Sequence, residues 1–72
     1  MASSLEKGIE AAKSGLMEEA LGHLKDAIVE EPENANVWVW LSAIIEDEEK
    51  QTIFLKKALE IDPGNRPAQR GL

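Results

Sequence analysis

The residues of this sequence that could carry chemistry are a single histidine, a run of four carboxylates and five glycines. His23 stands one position before the apolar Leu24, with no serine, cysteine or acid arranged beside it in a recognisable motif. A general base needs a positioned partner and a cleft, so His23 reads as a surface or repeat-boundary residue. Glu46-Asp47-Glu48-Glu49 concentrates charge that attracts hard cations. An EF-hand loop, however, requires alternating oxygen ligands, a glycine at its sharp turn and a distal glutamate, and that spacing is missing. The run is read as a charged turn and helix start. Gly8, Gly15, Gly22, Gly64 and Gly71 never form the closely spaced set that opens a helix after a strand and cradles phosphate. The expectation is a protein without enzymatic activity, metal or cofactor.

What remains is the chemistry of apolar surface. Val37-Trp38-Val39-Trp40-Leu41 runs on into Ser42-Ala43-Ile44-Ile45, and a helix apolar around most of its circumference must be covered on more than one side. Trp38, Leu41 and Ile45 share one face at i, i+3 and i+7, assigned to a helix-packing core. Trp40 and Ala43 project elsewhere, and Trp40 either packs within the fold or anchors a partner.

Composition narrows the setting. A chain of 72 residues is one domain at most, and such a domain buries only about 60% of the surface its unfolded chain exposes. It holds no cysteine, so neither disulfides nor thiolate metal sites can supplement the core. The apolar run is far shorter than the ~20 residues that span a bilayer, and the first residues lack the basic and apolar regions of a signal peptide. A soluble, cytoplasmic protein with no membrane insertion is expected. Its net charge of -6 would repel nucleic acid and anionic membranes. That charge is uneven, with 3 basic against 12 acidic residues over 1–49 and 5 against 2 over 50–72.

The elements that carry these residues are written twice. Leu24-Lys25-Asp26-Ala27, with Pro32 and Asn34 following, reappears as Leu55-Lys56-Lys57-Ala58 with Pro63 and Asn65, displaced by 31 positions. Apolar residues at helical spacing precede each proline, which cannot continue a helix. Ser3 with Glu6 forms a capping-box pattern, and Gly15 offers a left-handed stop. Asn34 or Asn36 and Asp47 open later helices. The spacing predicts four helices, at about 4–14, 17–31, 36–46 and 48–61, joined by connections short enough to force antiparallel neighbours. The fold class is all-α, two stacked antiparallel helical hairpins plus a short C-terminal helical stub.

Trp38, Leu41, Ser42 and Ile45 stand at the W, L, G and Y positions of the tetratricopeptide repeat (TPR), and Gly8, Ala20, Leu24, Ala27 and Pro32 match an earlier copy. The chain resembles that family along nearly its whole length, with repeats at about 1–34 and 35–65 and the start of a capping or third helix at 66–72. Ser4, Lys7 and Ala11 replace the usual large residues of the first A helix. The second repeat lacks three residues between its helices, since the offset is 34 at Gly8/Ser42 but 31 at Ala27/Ala58, and a tight, distorted turn is expected there.

The resemblance implies a protein-interaction module that binds a partner in the groove lined by its A helices. The implied contact positions are Leu5, Ile9 and Lys13, then Asn36, Val39, Trp40, Ala43 and Asp47. Family members that grip acidic chaperone tails carry Lys, Asn and Arg there. This chain has Leu5, Ile9, Trp40, Pro67 and Gly71 at the matching places, which suits an apolar helical segment with basic flanks instead. The alternative is a self-assembly unit that forms homo-oligomers through its uncapped end, which Ala68 and Leu72 would cover only in part.

Overall fold

Helix boundaries follow local hydrogen-bond chemistry in the computed structural model, which describes residues 2–71. The helices are α1 (Ser4–Lys13), α2 (Met17–Glu30), α3 (Ala35–Ile44), α4 (Glu48–Ile61) and α5 (Arg66–Gly71), and no strand occurs among the described residues. Ser3 caps α1 by accepting from the Glu6 amide at 3.2 Å. Asn34, rather than Asn36, caps α3, taking the Asn36 amide at 3.0 Å. Asp47 caps α4 through the amides of Glu49 and Lys50. Gly15 sits at φ +79°, the left-handed conformation that ends α1 at low steric cost. Leu72, expected on a third A helix, lies outside the described residues.

The helices form two hairpins, α1 on α2 and α3 on α4, stacked through α2 and α3, with α5 laid against α4. The element starts repeat at one interval of 31 residues, from Ser4 to Ala35 to Arg66 and from Met17 to Glu48. Both hairpin connections therefore have the same length, residues 14–16 and 45–47. The two connections nevertheless differ in shape: Ser14 has ψ 0° and Gly15 takes φ +79°, whereas Ile45 is extended at ψ 135°. α1 continues five residues beyond Gly8, whereas α3 stops two residues beyond Ser42. Both helices have ten residues, so Ser42 simply sits nearer the end of α3 than Gly8 does to the end of α1, and Ile45 leaves the helix in extended conformation.

Two clusters make the core. Leu24 and Ala27 of α2 meet Val37 and Leu41 of α3, and Leu55 and Ala58 of α4 meet Ala35 and Ala68. Leu24, Leu41 and Val37 are the largest fully buried side chains, each stabilising the fold by roughly 1.5–3 kcal/mol through transfer from water. The deepest positions of α3 are therefore Val37 and Leu41, while Trp38 and Ile45 are half-buried. Trp38 touches both clusters, its ring 5.8 Å from that of Phe54, and its indole N–H donates to the Pro32 carbonyl at 3.3 Å. One residue thereby ties the end of α2 to α3 and α4.

Gly8 sets the approach of α1 to α2. A Cβ there would lie 2.8 Å from Leu24 Cγ, and Leu24 is fully buried with no room to retreat. Gly8→Ala is expected to destabilise the fold by about 1–3 kcal/mol, because overpacking outweighs the helix propensity gained; an unchanged urea midpoint would refute this close approach. Trp38→Ala should cost about 3 kcal/mol through loss of both clusters' shared neighbour, read as a lowered melting temperature.

Candidate functional site

The residues expected to line the groove fall in three places. Leu5 and Ile9 on α1 and Val39 and Trp40 on α3 are half-buried. Leu5 and Trp40 pack against the same cluster, that of Leu24, Ala27, Val37 and Leu41, and α1 touches α3 directly. Trp40 therefore contributes to the fold as well as to the surface. Val39 and the exposed Ala43 line a depression of about 320 Å³ with Ser42, Gln51, Leu55 and Pro67, where α3, α4 and α5 converge. Leu5 and Trp40 thus share one cluster, while Val39 packs against the other.

Lys13, Asn36 and Asp47 do not join these residues as apolar contacts. Lys13 is exposed in the last turn of α1. Asn36 accepts a hydrogen bond from Asn65 at 3.4 Å, joining the first turn of α3 to the cap of α5. The Asp47 carboxylate is taken up in capping α4, and the residue lies at the mouth of a different opening.

That opening is a cavity of about 430 Å³ between the hairpins, walled by Leu21 and Ile28 of α2, Leu41 and Ile45, and Phe54 of α4, with Lys25, Glu46, Asp47 and Lys50 around them. Val39 and Leu41 are two residues apart on α3, or about 200° around the helix, so the groove and the cavity use opposite faces of one helix. The cavity adjoins the C-terminal end of α3. Gln51 occupies the place that Ala20 holds in the first hairpin, and its side-chain amide donates to the Ile45 carbonyl left without a following helical turn. A spacing signal was present in the sequence. Gly8 to Leu24 spans sixteen positions and Ser42 to Leu55 thirteen.

The same positions one interval earlier are polar. Residues 31 positions before Trp38, Leu41, Ile45 and Phe54 are Lys7, Glu10, Ser14 and His23, which line a shallow depression on the first hairpin. His23 accordingly sits at a repeat boundary, half-buried, with Lys7, Glu10 and Glu19 around the same depression. Among the described residues no cluster of His, Asp and Glu is placed to hold a metal ion, and no helix is long and apolar enough to cross a membrane.

No family model, curated protein or solved structure significantly similar to this chain is found.

Asp47→Ala is expected to lower stability by about 1 kcal/mol through loss of the cap on two α4 amides. Thermal melts against an exposed control, Glu49→Ala, check this, and equal melting temperatures for the two variants would contradict it.

Proposed function

We propose that this chain is a protein-binding module of the TPR type, holding an apolar helical segment of a partner in the groove made by α1, α3 and α5. The observation that supports this reading is the set of half-buried Leu5, Ile9, Val39 and Trp40, with exposed Ala43 and Pro67 around the depression that Val39 lines. Half-buried aromatic and aliphatic residues on preformed helices lose little conformational entropy when a partner covers them. The excess of acid over residues 1–49, which include α1 to α3, favours a partner with basic flanks.

Stacking of copies end to end is the competing reading. Lys7, Glu10, Ser14 and His23 weigh against it, because they stand one interval before Trp38, Leu41, Ile45 and Phe54, the apolar residues of the second hairpin that face the first. A second copy docking there would have to desolvate charged groups without an apolar return.

The test uses a Trp38→Phe background, so that Trp40 is the remaining indole. Titration with an amphipathic helical peptide flanked by lysines should shift Trp40 emission to the blue and saturate. Ala43→Lys, at an exposed position, should weaken binding about ten-fold or more, equivalent to about 1.4 kcal/mol, without changing the melting temperature. An emission spectrum indifferent to the peptide, with a mass that rises with concentration in sedimentation, would replace this reading with self-assembly.

A further inference from the structure

The charge-free α3 is bracketed by acid. Glu30, Glu31 and Glu33 stand before Ala35–Ile44, and Glu46, Asp47, Glu48 and Glu49 follow it. The antiparallel hairpins gather more acid at the same two ends. One end holds the starts of α1, α3 and α5 and the finishes of α2 and α4, tied by the Ser4–Glu30 and Asn65–Asn36 hydrogen bonds. There Glu6, Glu60 and Asp62 join Glu30, Glu31 and Glu33, against the two bases Lys57 and Arg66. The other end holds the finishes of α1 and α3 and the starts of α2 and α4, tied by Gln51 donating to the Ile45 carbonyl. Glu18 and Glu19 join the run 46–49 there, against Lys13 and Lys50. Six acids against two bases leave each end at a formal charge of -4. The band between them holds four bases, Lys7, Lys25, Lys56 and Arg70, against Glu10 and Asp26, and is +2.

Helix stability accounts for the acid at one end and not at the other. Glu18, Glu19, Glu48 and Glu49 lie in the first turns of α2 and α4, where the helix dipole favours them. Glu60 lies in the last turn of α4, and Glu31 and Glu33 lie just beyond α2, where the dipole disfavours acid. Neither helix has a basic residue in its last turn.

The two ends are about 15 Å apart, the length of a ten-residue helix. That exceeds the ~8 Å over which exposed charges act at physiological salt, so a cation responds to one end or to the other. A partner crossing α1, α3 and α5 would set its flanks level with Lys7 and Arg70, in the positive band. A partner lying along α3 sets one flank at each acidic end, and its middle meets Val39 and Ala43 at a depression lined by no charged residue.

Resting on the groove reading above, we propose that the partner segment is a helix laid lengthwise along α3, with an apolar middle and two basic clusters about ten residues apart that reach the two acidic ends.

The experiment compares three helical peptides of identical composition on the Trp38→Phe chain, followed by Trp40 emission at low and high salt. Their lysines are placed at both ends, all at one end, or along the middle. The two-ended peptide should bind about ten-fold more tightly than the others at low salt, and the preference should collapse at high salt. Glu31→Gln/Glu33→Gln and Glu46→Gln/Glu49→Gln, all at exposed positions, should each weaken the two-ended peptide by about three-fold or more, with the helices intact by circular dichroism. The one-ended peptide should respond to one of these pairs alone. Equal affinities for the three peptides, tightest binding of the middle-lysine peptide, or indifference of the two-ended peptide to either pair would overturn the lengthwise arrangement. If Ala43→Lys still weakens binding in those cases, the groove reading stands without it. Emission indifferent to all three peptides would overturn both.

Discussion

Everything in this fold depends on α3 being covered from two sides. Its ten residues, Ala35–Ile44, include no charged group, so most of its circumference must be covered by neighbouring helices. Val37 and Leu41 close the core against α2 while Ala35 closes it against α4 and α5. Trp38 then belongs to both clusters and secures the Pro32 carbonyl. In a chain with so little surface to bury, no other element joins the hairpins as closely.

Several features meet at the C-terminal end of α3. Ile45 leaves the helix, its carbonyl turns to the Gln51 side chain, and Gln51 stands where an alanine fits in the first hairpin. The cavity lies beside this end of α3. Val39 and Ala43, on the opposite side of the helix, line the other depression.

The two hairpins share caps and lengths but not surfaces. Asn34 and Asn65 each open the following helix, and the side chains six positions beyond Pro32 and Pro63 both return to the proline carbonyl, Trp38 in one case and Gln69 in the other. Backbone geometry repeats because the local hydrogen-bond needs repeat. Side chains diverge where neighbours differ. Trp38 has α4 and Phe54 beside it, whereas its counterpart Lys7 faces the shallow polar depression of the first hairpin.

The sequence by itself determined the helices, their order and their pairing. Caps, the left-handed Gly15 and the proline stops act over a few residues, so α4 could be read to its ends and the other boundaries to within two residues. The family resemblance grouped Leu5, Ile9, Val39 and Trp40, and each of them is half-buried in the structure. Tertiary structure decided what each face meets. It made Val37 rather than Trp38 the fully buried residue, set Asp47 at the mouth of the cavity, and brought Leu21 and Ile28 of α2 and Phe54 of α4 around one space. Those outcomes depend on how two hairpins dock and on where α3 stops relative to Ser42. Docking is a sum over contacts between residues distant in the chain, and no local pattern records it.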